Sequence, residues 1–124
     1  MTAASDFAGV SAVLQTYFDG LYHSDTVRLA QVFHPLARYC TASGGNLLVW
    51  DMKHYFAVVD QRPSPAGTGQ ARTDRILSIA FAGPVTAFAC VQCSIAPRHF
   101  TDFLTLVQVE GRWQIVSKVF HFDA

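Results

Sequence analysis

Charge is scarce in this sequence, and the two signs balance. Only 15% of the 124 residues are charged, and nine Lys or Arg oppose nine Asp or Glu, so the formal net charge is zero. Binding along a nucleic-acid backbone depends on clustered positive charge, which this composition does not supply. Because 51% of the residues are hydrophobic, intrinsic disorder is excluded as well. The composition predicts a globular domain with no nucleic-acid partner.

Long apolar segments and targeting signals are also missing. Hydrophobic runs such as residues 47–50 are the size of a strand, far short of the roughly 20 residues of a membrane span. The first residues, Met-Thr-Ala-Ala-Ser-Asp, do not combine a basic region with an apolar one, so we expect no secretory signal. Three cysteines are an odd number and indicate reduced thiols. We therefore expect a cytoplasmic protein without a membrane partner.

No motif for a metal ion, a phosphate group or a covalent nucleophile is found. Cys90 and Cys93 are three residues apart in a predicted strand, so their thiols point to opposite faces and cannot share a zinc ion. The Gly-Thr-Gly of residues 67–69 precedes a strand rather than a helix, which excludes a phosphate loop. We expect no metal and no cofactor.

Apolar spacing separates a helical first half of the chain from a second half rich in strands. Residues 7–21 and 27–33 follow helical periodicity, and Asp51 is the predicted cap of a third helix. Residues 37–41 and 46–50 predict a short hairpin between the second and third helices. After a loop rich in Pro and Gly, four strands are predicted at about 71–82, 85–96, 100–109 and 112–122. Helices followed by a long antiparallel sheet predict an α+β fold.

The turn at Glu110 and Gly111 predicts the register of the last two strands. A two-residue turn pairs Val109 with Arg112, and an uninterrupted ladder then pairs Asp102 with Val119. A three-residue loop is the alternative, and it would exchange the faces of one strand. The first register predicts an inner face that includes Asp102, Leu104, Leu106, Trp113, Ile115 and His121. It predicts an outer face with Phe103, Val107, Val116, Lys118, Phe120 and Phe122.

The predicted outer face is too apolar to meet water. Its five apolar side chains form a larger patch than a monomer usually exposes, and the helices are committed to the inner face. We therefore expect a second copy of the chain to cover this face. The predicted homodimer interface consists of Phe103, Val107, Val116, Phe120 and Phe122.

Several segments of the chain resemble the nuclear-transport-factor-2-like superfamily, whose members have the SnoaL-like cone fold. The sequence reads YFDGLY at residues 17–22, FHPLA at 33–37, FTDFLTL at 100–106 and GRWQIVSKVFH at 111–121. With DRI at residues 74–76, these segments are most similar to the bacterial branch labelled putative lumazine-binding. The resemblance covers nearly the whole chain.

The resemblance implies one domain over residues 1–124 in which three N-terminal helices pack in a strongly curved mixed or antiparallel sheet. Members of this superfamily are similar in enclosing a pocket between helices and sheet, and they commonly dimerise through the sheet. They include ketosteroid isomerase, scytalone dehydratase and polyketide cyclases. The fold therefore does not fix the activity.

Asp102 and His121 are the candidate catalytic residues. The predicted register makes them diagonal neighbours on the inner face, with Cα atoms roughly 7 Å apart. An apolar cone raises the pKa of a carboxyl group, and an imidazole partner counters that rise, which is how a general base is tuned. The resemblance adds that ketosteroid isomerase uses an aspartate base in a related pocket. The alternative is a structural Asp–His hydrogen bond at the sheet edge.

The predicted pocket is lined by Asp102, His121 and four further residues. His34 would stand at the mouth, although a histidine near a helix end can also bond the free carbonyl groups there. Tyr17, Trp50 and Tyr55 could stack on a flat ligand ring or simply fill the core.

Three hypotheses about function follow. The leading one is a small-molecule binding protein with a pocket between the helices and the concave sheet face, its ligand unassigned and, by the resemblance, pteridine- or lumazine-like. The alternative is an isomerase or dehydratase that uses Asp102 and His121 for proton transfer. The third is a non-catalytic protein-interaction module. The first requires a cavity of roughly several hundred Å³, and the second requires Asp102 and His121 to share it. An interior filled by Trp113, Phe33 and Tyr55 would favour the third.

Overall fold

Three helices and a six-stranded sheet make up the computed structural model, which describes residues 3–124, with side chains from Asp6 onward. The helices are α1 (Ala3–His23), α2 (Thr26–Val32) and α3 (Met52–Gln61). The strands are β1 (Phe33–Thr41), β2 (Leu48–Asp51), β3 (Arg75–Phe81), β4 (Thr86–Ile95), β5 (Arg98–Val109) and β6 (Arg112–Asp123). The α+β class is confirmed. Within the described residues, no helix has both the length and the apolar character needed to cross a bilayer.

Two aspartates, Asp25 and the predicted cap Asp51, begin the shorter helices. The Asp25 carboxylate accepts hydrogen bonds from the backbone N–H groups of Val27 and Arg28, at 3.1 and 3.2 Å. Asp51 accepts one from the N–H of His54 at 2.9 Å. Each carboxylate satisfies amide groups that the first turn of a helix leaves without partners, so these residues fix where the helices begin.

The strands lie side by side in the order β2-β1-β6-β5-β4-β3. Strands β3 to β6 form the predicted antiparallel meander, and β1 and β2 form the predicted hairpin. The parallel pairing of β1 with β6 joins the two parts into one mixed sheet. It also brings β1, which precedes the third helix, beside the last strand of the chain.

All three helices pack on the same face of the sheet, which we call the inner face. A Cβ on Gly9 of α1 would lie only 3.0 Å from Trp113 Cδ1, so this glycine lets the helix approach β6 closely. Further along α1, Tyr17 reaches Asp102 of β5, and Tyr55 of α3 reaches Lys118 of β6. The core therefore lies between the helices and this face, and it leaves the other face uncovered within the described residues.

The register of β5 and β6 is correct at the turn and wrong beyond it. Glu110 and Gly111 both have positive φ, 53° and 76°, and Val109 pairs with Arg112 as predicted. The ladder then shifts by one residue between Leu106, which pairs with Ile115, and Thr105, which pairs with Ser117. Val116 is therefore the extra residue of a β-bulge in β6.

The bulge exchanges the faces of β6 from Ser117 onward, because side chains alternate with a period of two. Lys118 and Phe120 lie on the inner face and are 5% and 6% exposed. Phe122 also lies on this side, against Phe100. The predicted placement of these three side chains on the outer face is wrong. His121 moves the opposite way, to the outer face.

Candidate functional site

The inner face carries a cluster of polar side chains with almost no access to water. It consists of Tyr17 from α1, Tyr55 from α3, Asp102 from β5 and Lys118 from β6. Their exposed fractions are 0%, 1%, 0% and 5%. Burying an aspartate and a lysine costs free energy unless the charges are paired, so these groups must stabilise one another.

Hydrogen bonds satisfy only part of this cluster. The Tyr17 hydroxyl donates to Asp102 Oδ2 at 2.5 Å, and Lys118 Nζ donates to the Tyr55 hydroxyl at 3.3 Å. Lys118 Nζ lies 4.0 Å from Asp102 Oδ2, which makes an ion pair without a tight hydrogen bond. The second carboxylate oxygen, Asp102 Oδ1, is buried and has no hydrogen-bond partner. An acceptor of this kind can receive a donor from a ligand.

Aromatic rings surround the Lys118 ammonium group. Its nitrogen lies 5.1 to 5.3 Å from the ring centres of Tyr17, Tyr39, Tyr55 and Phe120. Ring faces attract a cation most strongly where water is excluded. Burial lowers the pKa of Lys118, but its interactions with Tyr55, Asp102, Tyr39 and Cys93 together outweigh burial, so the net direction is upward. The lysine is therefore an ammonium ion at neutral pH.

Two other acids in the interior keep their protons more firmly than they do in water. Burial, followed by the charge of Asp102, raises the pKa of Tyr17 well above its ordinary value. Burial likewise raises the pKa of the Cys93 thiol on β4 from 9.0 to about 12. A group whose pKa is raised by folding contributes stability that is complete at pH values below its ordinary pKa. That contribution is lost as the pH rises through the pKa of the folded state.

We therefore expect the free energy of unfolding to fall as the pH rises above 9.0, the ordinary pKa of a thiol, because the unfolded chain then ionises Cys93 and the folded chain does not. Urea denaturation at a series of alkaline pH values measures this decline. Cys93→Ala should make this decline shallower between about pH 9 and 10. Tyr17 and Lys118 contribute mainly at higher pH, because their ordinary pKa values are 10.0 and 10.5. Cys90→Ala, on the outer face of the same strand, is the control. An unchanged slope in Cys93→Ala contradicts the prediction.

Enclosed space beside the cluster is small, and space of ligand size lies next to it. A cavity lined by Tyr39, Tyr55, Arg62, Cys93 and Lys118, among others, measures about 10 Å³, which holds about one water molecule. An open groove of about 600 Å³ lies between the β1–β2 hairpin and the ends of β5 and β6. Tyr39 lines both spaces. Its ring therefore separates the groove from the polar cluster.

The groove has an aromatic wall. The Trp50 ring stacks on Tyr39 at 4.9 Å and on His54 at 4.5 Å, each with an interplanar angle of 10°. The Arg98 guanidinium lies 4.2 Å from the ring centre of Phe122 on the opposite side. Besides these rings and one cation, the groove is lined by polar Thr41 and Asn46 and by the aliphatic residues 47–49.

Four of the six predicted site residues lie in the polar cluster or in the wall of the groove. Tyr17, Tyr55 and Asp102 are in the polar cluster, and Trp50 is in the groove wall. The expectation of an enclosed pocket of several hundred Å³ is not met, because that volume is in the open groove.

The two predicted histidines lie elsewhere. His34 is near the start of β1, whereas the groove is at the other end of that strand, and its Nδ1 accepts a hydrogen bond from the N–H of Leu36 at 3.0 Å. The His121 side chain is 62% exposed and bonds Ser43 and Asp123. Asp102 and His121 are therefore on opposite faces, and the predicted catalytic pair is wrong.

Sequence reasoning missed Lys118 and Arg62. Lys118 lies among apolar residues in either register. A ladder shifted by one residue places it on the inner face, where it is a buried charge. Arg62 is the residue that ends α3, where it reads as an ordinary surface arginine. Among residues 3–124, no three His, Cys, Asp or Glu side chains group closely enough to hold a metal ion.

Comparison with known proteins places the chain in a defined group. The model of the family described as "Putative lumazine-binding" matches residues 5–121. A curated relative, "Aldolase FrzH" from Cladobotryum sp., is 28% identical over 120 residues, which cover 95% of this chain and 92% of that protein.

Solved structures give the same fold. An NTF-2-like protein of unknown function from Silicibacter pomeroyi has a TM-score of 0.88 at 27% identity. The match covers 99% of this chain and 100% of that chain. An NTF2-like protein of unknown function from Shewanella baltica has a TM-score of 0.87 at 26% identity, covering 100% and 98% of the two chains.

Proposed function

The chain belongs to the family described as putative lumazine-binding, and from this premise we propose that it binds a small planar molecule in the aromatic groove, with the polar end of that molecule at the Asp102–Lys118 cluster. The family and the fold support a role in binding or processing a small molecule. The observation that carries the proposal is Asp102 Oδ1, a buried acceptor without a partner.

The cluster suits a ligand with a hydrogen-bond donor next to an acceptor. Asp102 Oδ1 accepts, and Lys118 Nζ, which bonds only the Tyr55 hydroxyl, still has protons to donate. A lumazine-like heterocycle presents an N–H group beside a carbonyl oxygen and fits this pair. Its planar ring system fits beside the stacked rings of Tyr39 and Trp50, which line the groove. Binding requires the Tyr39 ring to move, because it stands between the groove and the cluster.

We expect Asp102→Asn to abolish or strongly weaken ligand binding while the fold persists at lower stability. Tyr17 can still donate to the side-chain oxygen of asparagine, but Lys118 loses its carboxylate partner. The measurement is the shift in melting temperature with a panel of pteridines, flavins, steroids and polyphenols, since a ligand that binds the folded state raises its stability. Asp123→Asn, which changes an exposed carboxylate 75% accessible to water, is the matched control. Ligand shifts that survive Asp102→Asn would place the site elsewhere.

The second candidate function is proton transfer at a carbon next to a carbonyl group. The relative named an aldolase favours it, because aldol chemistry forms a nucleophilic carbon next to a carbonyl group. Asp102 would take the proton, and the electron pair would move onto the carbonyl oxygen, where Lys118 and Tyr55 donate hydrogen bonds. In this role Lys118 takes the place that the sequence assigned to His121. Exchange of ligand hydrogen for deuterium, lost in Asp102→Asn, distinguishes catalysis from binding.

We also propose that a second copy of the chain covers the outer face of the sheet. The interface predicted from sequence keeps Phe103 and Val107, loses Phe120 and Phe122 to the inner face, and gains Val119. Phe103 and Val119 are paired neighbours that are 49% and 47% exposed. In the proposed dimer these two side chains pack against the same face of another molecule.

A further inference from the structure

Arg62 has an unusual position for an arginine at a helix end. It is half-buried, and its Nε atom is inaccessible to water without any hydrogen-bond partner. Together with Lys118 it lines the small cavity beyond Tyr39. A buried N–H donor of a charged group that finds no acceptor in the protein costs free energy. An acceptor supplied by a ligand would remove that cost.

The charges around this cavity do not balance. Two cations, Arg62 and Lys118, line it, and the one carboxylate of the cluster, Asp102, lies behind Lys118 at 4.0 Å. The net charge of these three groups is therefore positive by one unit. Burial raises the pKa of both Tyr39 and Cys93, and Lys118 and Arg62 both oppose that rise. The two cations thus act on the same small volume.

We propose that this cavity, which must widen from about 10 Å³ when the ligand enters, is an anion subsite in which Lys118 and Arg62 hold the carboxylate of the ligand. The inference rests on the proposed function, and it adds the charge of the ligand and the residues that recognise this charge. The unfilled donors are the remaining protons of Lys118 and the N–H of Arg62 Nε, and both residues line this cavity. A monoanion balances the site, whereas the nearby Asp102 carboxylate disfavours a dianion.

The cavity is closed on its far side by Arg62 and Ile95. These two residues also line a separate surface groove of about 310 Å³ next to Pro63 and Gln70. Arg62 therefore contacts both spaces. In this proposal the ligand enters from the aromatic groove, passes Tyr39 and reaches the cavity with its carboxylate.

Two probes of nearly equal shape, benzoate and benzamide, and a larger anion, phenyl phosphate, test this subsite in the full-length protein. Benzoate is a monoanion, benzamide is neutral, and phenyl phosphate carries more charge. Calorimetric titration should show benzoate binding about tenfold more tightly than benzamide, a difference of about 1.4 kcal/mol, and phenyl phosphate binding more weakly than benzoate. Arg62→Gln should remove the preference for benzoate over benzamide, and Arg75→Gln, an exposed arginine of β3, should leave it unchanged.

Each contrary result overturns the subsite. These results are equal affinity for benzoate and benzamide, no binding of benzoate at millimolar concentration, and a preference that survives Arg62→Gln. Arg62 is half-buried, so this variant is expected to fold even where Lys118→Met does not. If the panel ligands bind in an Asp102-dependent manner without any effect of Arg62→Gln, the proposed function stands and the subsite fails. If benzoate binding depends on Arg62 but not on Asp102, the subsite stands and the proposed function fails.

Discussion

Lys118→Met should lower the free energy of unfolding by about 3 to 5 kcal/mol, the loss expected when one partner of a buried ion pair is removed. Methionine fills a similar volume, so the loss comes from charge rather than from a cavity. Asp102 would keep its hydrogen bond from Tyr17 and lose its ion pair with Lys118, whose Nζ lies 4.0 Å from Oδ2. Urea denaturation at neutral pH measures the change. Lys53→Met, at an exposed position of α3, should alter stability by no more than about 0.5 kcal/mol.

A double-mutant cycle separates the ion pair from other effects of this substitution. Adding Asp102→Asn to Lys118→Met removes the unpaired carboxylate and should restore most of the lost stability. The two substitutions are then non-additive by well over about 0.5 kcal/mol, as expected for groups in direct contact. Additive losses would mean that Lys118 stabilises the protein through the surrounding rings alone.

Local signals in the sequence predict most of this fold correctly, because their causes are local. Asp25 and Asp51 cap helices through bonds to amide groups two or three residues further on. The turn at Glu110 and Gly111 depends on two residues that take positive φ. The parallel pairing of β1 with β6 has no such signal, since it joins strands more than 70 residues apart in the chain, such as Cys40 and Val119.

The candidate site could be predicted only in part because it depends on the bulge at Val116. Neither glycine nor proline marks that position, and apolar side chains continue on both faces of the strand after it. Phe120 fits the apolar interior, whereas Val119 fits an apolar outer surface. The sequence alone therefore offers two consistent registers, and a shift of one residue decides whether Lys118 or His121 faces Asp102.

The bulge also determines which residues of β6 lie on the outer surface. One row of paired residues crosses all six strands on that face: Val49, Cys40, Val119, Phe103, Cys90 and Ser78. Phe88 adjoins this row, with its ring centre 5.5 Å from that of Phe103. A second row of paired residues on this face lies near the start of β5. It is polar and contains Arg75, Gln92, Thr101 and His121. An apolar band with a polar margin is typical of a surface that another molecule covers.

A single charge in the middle of this band should separate the two copies. We expect the wild-type protein to sediment at about 27 kDa, twice the chain mass of 13.6 kDa, and Val119→Glu to sediment as a monomer. Val119 is 47% exposed, so glutamate can reach water in the monomer, whereas in the dimer its charge would be buried against apolar side chains. Val27→Glu makes the same substitution on α2, at a position 71% exposed, and should leave the dimer intact. A wild-type monomer at micromolar concentration, or a dimer that survives Val119→Glu, would show that something other than a second copy covers this face.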